Sequence, residues 1–123
     1  MSYKIIDNLC GAKINDNLHR QTVTEWQWSF NPFKVRSTDQ NSLYDYQFVH
    51  KLHSIFEQGY SPHWLDIIPV ISQINGIINI GAFRRVKANL QVAQKDVIYG
   101  SFHHDFTEKG IVDKNLFIAI YYV

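Results

Sequence analysis

At 123 residues, 46% of them hydrophobic, the chain is long enough for one domain with a core and too short for two. Its 12 Lys and Arg stand against 11 Asp and Glu, which excludes a dominant electrostatic partner such as nucleic acid or an acidic membrane surface. One cysteine, Cys10, excludes an internal disulfide and fits a reducing compartment, the cytoplasm by default, and no apolar run has the length or purity of a signal peptide or a membrane span.

Composition is even along the chain, with no linker, repeat or low-complexity tract, so a single domain over 1–123 is expected. "YKIID" alternates and predicts a short first strand, and Asn8 to Arg20 predicts a helix despite Gly11. "TEWQWSFN" alternates strictly, which predicts a half-buried strand with Trp26, Trp28 and Phe30 on one face. "NPFKVRSTDQNS" reads as a loop and "LYDYQFVHKL" as a further strand or extended edge. From Ser61, "SPHWLDIIPVISQI" offers Ser as N-cap and Pro at the first helical position, with Trp64, Leu65, Ile68, Ile71 and Ile74 at helical spacing. Pro69 is expected to kink that helix or mark a second start. After Gly76 come four β-prone segments: "IINIGAF", "RRVKANLQVA", "VIYGSFHHDF" and "NLFIAIYYV". Helices followed by strands describe an α+β domain whose helix covers one face of a mostly antiparallel sheet.

In "VIYGSFHHDF", His103 and Asp105 are two apart, so on a strand both leave by one face while His104 leaves by the other. A neutral imidazole and a carboxylate suit divalent iron, and a second His would complete the two-His-one-carboxylate triad that leaves coordination positions open. Such a pair near a polar turn is also a common solvated, hydrogen-bonded cluster. A hydrolytic zinc site using His103, His104 and Asp105 fits less well, because strand alternation separates the imidazoles.

The order "FRRVKANLQV", "FHHDF", "FIAIYYV", behind "QFVHKLH" and "SPHWLDIIPVI", resembles the Fe(II)- and 2-oxoglutarate-dependent dioxygenases, in particular the prolyl-hydroxylase-like branch with its phage members. The resemblance runs from about Tyr44 onward and implies a double-stranded β-helix, or jelly roll, with N-terminal supporting helices. It implies Fe(II) as cofactor, 2-oxoglutarate as co-substrate, and hydroxylation of a small molecule or a protein side chain. For a phage member the compartment would be the host cytoplasm.

By resemblance His103 is the first iron ligand, Asp105 the second, and His104 the variable position between them. Tyr122, second of the closing Tyr pair, falls where the family's tyrosine bonds the distal carboxylate of 2-oxoglutarate; the other reading is a core or interface tyrosine, whose hydroxyl would need a partner in any case. Strand parity groups Asn89, Gln91 and Ala93, so Asn89 would touch the co-substrate if that face is the pocket face, although the tyrosine often found there in relatives falls near Ala93. The family's distal His and carboxylate-binding Arg lie on strands after the Ile-Tyr-Tyr strand, and the sequence ends at Val123. The expectation is therefore the N-terminal portion of an oxygenase jelly roll, incomplete at the C-terminus.

Two functions follow: an iron-dependent oxygenase or a truncated, inactive fragment of one, and a non-catalytic binding or assembly module that retains the half-barrel. In either, "LFIAIYYV" would be an unpaired apolar edge inviting self-association or a complementing chain. Elsewhere, His50 and His53 would point oppositely on a strand, Arg84, Arg85 and Lys87 read as a solvated strand face, and Cys10 as a buried thiol.

Overall fold

The computed structural model describes residues 3–32, 46–93, 107–108, 111–112 and 116–123. Clustering of the backbone divides the chain into two units, one of Met1–Gln27, Lys51–Lys87 and Ala119–Val123, the other of Trp28–His50 and Ala88–Ile118.

The first unit holds both helices. Helix α1, Gly11–Thr24, follows a turn in which Asn8 (φ 54°) and Gly11 (φ +73°) take left-handed backbone, a conformation that costs Gly little. Ile14, Leu18 and Gln21 recur at helical spacing on its covered side, with Leu18 buried, while Lys13, Asp16, His19 and Arg20 are exposed. Helix α2, Trp64–Asn75, is entered through a turn in which the Ser61 hydroxyl accepts the His63 amide (3.1 Å) and the Ser61 carbonyl accepts the Trp64 amide (3.0 Å). The expected cap is corrected: the N-cap is His63, with no side-chain cap bond, and the helix begins at Trp64 rather than at Pro62, while Ser61 holds the turn before it. Pro69 lies inside α2 and has no amide to give to the Leu65 carbonyl; both residues are exposed, so water can reach that carbonyl.

The two helices touch, and Leu18, Trp26, Leu52, Ile67 and Val70 form the buried apolar set of this unit. The inward face of α2 differs from the expected one. Ile67 and Val70 are buried, with Trp64, Ile71 and Ile74 half-buried, whereas Leu65 is 76% exposed and Ile68 39%.

Strands β1 (Ser29–Asn31), β2 (Gln47–Ser54) and β3 (Arg85–Leu90) form one sheet in the order β1-β2-β3, and β4 (Thr107–Glu108) pairs antiparallel with β5 (Ile111–Val112). In the second unit β1 runs antiparallel to β2 with Phe30 opposite Phe48, rings 5.6 Å apart and edge-on. This cross-strand aromatic pair stabilises the register by about 0.5–1 kcal/mol. In the first unit the Ile55 amide donates to the Arg84 carbonyl (2.9 Å), and β2 continues into a bend that returns at Tyr60, bridged to His53.

Four expected strands are corrected. Residues 3–6 of "YKIID" form none, and Tyr3 (86%) and Ile5 (77%) face solvent, because alternation makes a strand only where a neighbouring strand supplies hydrogen bonds. "TEWQWSFN" is split: α1 runs to Thr24, the Glu25 and Trp26 amides donate to the Gln21 carbonyl, and only Ser29–Asn31 pair as strand. Trp26 is buried and Phe30 is 60% exposed, so the two do not share a buried face. "IINIGAF" is the exit of α2, where Ile77 and Ile78 donate to the Ile74 carbonyl and Ile80 to the Asn75 side chain (2.9 Å). Residues 116–123 of "NLFIAIYYV" form no strand, with Phe117, Ile118, Ile120 and Tyr122 exposed. The strand expected at "VIYGSFHHDF" lies outside the described residues. Among the described residues no helix is long and apolar enough to cross a membrane.

Candidate functional site

The densest polar arrangement described lies in the first unit, around Asp66. Asp66 stands in the first turn of α2, where a carboxylate is favoured by the helix dipole. Its Oδ2 accepts the indole N–H of Trp26 (3.0 Å) and Nδ1–H of His63 (3.0 Å), and its Oδ1 accepts a longer bond from Gln21 Nε2 of α1 (3.4 Å). A carboxylate only accepts, so the bond fixes the proton of neutral His63 on Nδ1. The imidazole also lies over the Trp26 indole, centroids 5.3 Å apart and planes 23° from parallel. The His63 and Asp66 side chains keep 23% and 20% of their surface, while Trp26 keeps 6%. Chemically the arrangement is a carboxylate that orients an imidazole and anchors an indole.

A second cluster of the same unit is aromatic. His53 stacks on Tyr60 (4.3 Å, 13°), Tyr60 leans on Trp64 (4.6 Å), and Trp64 meets the ring of Phe83 edge-on (5.4 Å). Beside them a shallow recess is bounded by the bend that returns at Tyr60, and the exposed ion pair Lys51–Glu57 joins two of its lining residues. Its lining is mostly polar and comes from the end of β2 and residues 57–61 of the bend that follows.

A third contact binds the segment Ala119–Val123 to α1: the Tyr121 hydroxyl donates to Asn15 Oδ1 (2.9 Å). Desolvation first, then a hydrogen bond with Cys10 and the charge of Cys10, hold the Tyr121 hydroxyl above the ordinary tyrosine value. Cys10 is half-buried beside this tyrosine, where a buried thiol was expected.

Of the residues singled out in the sequence, His103 and Asp105 lie outside the described residues, as does His104. Asn89 is exposed on β3, and since β3 ends at Leu90 the face expected to join it to Gln91 and Ala93 is not continued by strand. Tyr122 is 84% exposed, while its neighbour Tyr121 is the one turned inward. His50 and His53 leave β2 in opposite directions, His50 edge-on to Trp28 in the second unit and His53 on Tyr60 in the first. Among the described residues no three His, Cys, Asp or Glu side chains are grouped to hold a metal. The Asp66 cluster was missed in the sequence. Its only local trace is His63 and Asp66 three apart at a helix start, a spacing that sets two side chains within reach.

Comparison with family models, with curated proteins and with solved structures gives no match for this chain.

Proposed function

We propose that the chain carries two ligands of a divalent-iron site, His103 and Asp105, in an oxygenase of the 2-oxoglutarate-dependent type with a jelly-roll fold. The observation that carries this reading is the succession along the chain: helix α2, strand β3 on "RVKANL", the His-x-Asp segment, and the paired strands β4 and β5, the first beginning two residues beyond Asp105. The donor chemistry fits, since one imidazole nitrogen and one carboxylate oxygen from a single segment suit divalent iron. When bound, iron supplies the redox chemistry that couples decarboxylation of 2-oxoglutarate to hydroxylation of a substrate. The chain's own contribution is to hold the metal at the His103 and Asp105 side chains and to leave positions open beside it. Tyr122 and Asn89, both exposed, would serve the co-substrate only once a further segment covers them.

Calorimetry with Fe(II) under nitrogen, or with Mn(II), tests this reading. His103→Ala and Asp105→Ala should each weaken binding at least tenfold, an order-of-magnitude expectation for losing one of few ligands, and His104→Ala should leave it unchanged. Unaltered affinity in the first two variants refutes the assignment.

A second reading, a non-catalytic module that associates with another chain, is favoured by the exposed apolar side chains of Phe117, Ile118, Ile120 and Tyr122. Succinate formation from 2-oxoglutarate, measured beside sedimentation of the chain, separates the two.

A further inference from the structure

The segment Ala119–Val123 belongs to the first unit, although the residues that lead into it, Ala88–Ile118, belong to the second. Its seat on α1 is narrow. Among the described residues, every hydrogen bond of the segment runs through the Tyr121 hydroxyl, which donates to Asn15 Oδ1 (2.9 Å) and meets the Cys10 thiol. The five residues form neither strand nor helix, so their directional ties to the unit are those of one side chain.

A seat made by one side chain is filled equally well by the Tyr121 of a second copy, because both copies carry the same Asn15 and Cys10. What changes on exchange is the stretch leading into the segment. Phe117 and Ile118 are exposed there, directly before the point where the chain passes from one unit to the other. In two copies that exchange segments, these stretches run side by side in opposite directions about a two-fold axis, and each covers apolar side chains of the other. Residues 116–123 carry no charge, so the stretches meet without like-charge repulsion.

We propose that Ala119–Val123 is exchanged between two copies of the chain, each Tyr121 seated on the other copy's Asn15, in a reciprocal dimer closed by residues 116–118. The partner so named is a second copy, and the exchange rests on the second reading above, association with another chain. The seat within one chain already shows the complementarity to Tyr121 that a second copy would use, and the exposed apolar stretch adjoins that segment in sequence. Because the seats keep their number and kind, the Tyr121 bond contributes equally to the single chain and to the dimer. The gain on pairing comes from Phe117 and Ile118.

The test refolds together, from urea, equal amounts of 15N-labelled chain and chain carrying 13C-tyrosine, and sediments the same sample. Isotope-filtered nuclear Overhauser spectra should place the Tyr121 ring of one chain beside the Asn15 side chain of the other. Tyr121→Phe should leave the dimer fraction unchanged within about twofold yet speed the formation of mixed dimers about two- to tenfold, since one ordinary hydrogen bond must open before segments exchange. Phe117→Ser combined with Ile118→Ser should weaken the dimer at least about tenfold. A dimer whose Tyr121 contacts stay within each chain overturns the exchange and leaves the association reading standing, whereas a single chain at every concentration overturns both. The spectra of the unaltered chain decide the matter even where a variant fails to fold.

Discussion

Replacing Asp66 by Ala removes the acceptor that ties α1, Trp26 and α2, and the cost can be assembled from its three bonds. The Trp26 N–H is a donor on a side chain 6% exposed, bonded to an ionised group, and is worth about 1.5–3 kcal/mol. The bond from Gln21, at 3.4 Å, adds little. His63 and Asp66 keep about a fifth of their surface, so solvent screens the pair and its share is about 0–1 kcal/mol. The expected loss is therefore about 2–4 kcal/mol, which at a urea slope of about 1–3 kcal/mol per molar moves the midpoint down by about 1–2 M. Urea denaturation followed by circular dichroism measures it. Trp26→Phe in the same background supplies the control, because once the indole N–H is gone the carboxylate has less to lose. The double variant should fall short of the sum of the single ones by about 1–2 kcal/mol. Strict additivity, or a midpoint shift under about 0.3 M, would refute the reasoning that Asp66 works through Trp26.

The buried face of α2 is checked by a pair of truncations: Ile67→Ala should cost about 2–4 kcal/mol and Leu65→Ala under about 0.5, compared by thermal denaturation. Equal costs would mean that the helix is rotated. Pro69→Ala should stabilise the chain by about 1–3 kcal/mol, seen as a higher Tm, because it restores an amide to the Leu65 carbonyl at an exposed position. Tyr121 should make stability fall at alkaline pH: its raised value means that folding favours the neutral hydroxyl, so its contribution is whole below the ordinary tyrosine value near 10 and is lost as pH climbs through the folded one. Urea midpoints at pH 8 and above pH 10 should therefore converge between the natural chain and Tyr121→Phe, and a constant gap would contradict this.

Helix α2 and strands β2 and β3 are legible in the sequence, since Ser61-Pro62 before an apolar run and "QFVHKL" and "RVKANL" carry their signals locally. The face that α2 buries is not. Trp64, Leu65, Ile67, Ile68, Val70, Ile71 and Ile74 nearly encircle the helix, so the pattern admits several faces and contact with α1 selects among them. "YKIID", "IINIGAF" and "NLFIAIYYV" look like strands because alternation and β-branched side chains are local, while the hydrogen bonds that make a strand come from elsewhere. In "IINIGAF" the end of α2 takes the amides of Ile77, Ile78 and Ile80. The site divides along the same line. His103 and Asp105 are visible as a motif, whereas Trp26 and Asp66 are 40 residues apart and meet only through packing of the helices.

The first unit is drawn from three separate stretches, of which Ala119–Val123 is the last in sequence. The Tyr121–Asn15 bond spans 106 residues, so α1 is synthesised well before this partner. A nascent chain stalled before Ala119 would present α1 without the Tyr121 hydroxyl that Asn15 accepts. Contacts of such sequence separation also slow folding, because the intervening loop must be closed before they are made. A circular permutant that brings Tyr121 close to Asn15 in sequence would shorten that loop, and its gain in refolding rate would measure how much of the barrier lies in joining the two ends.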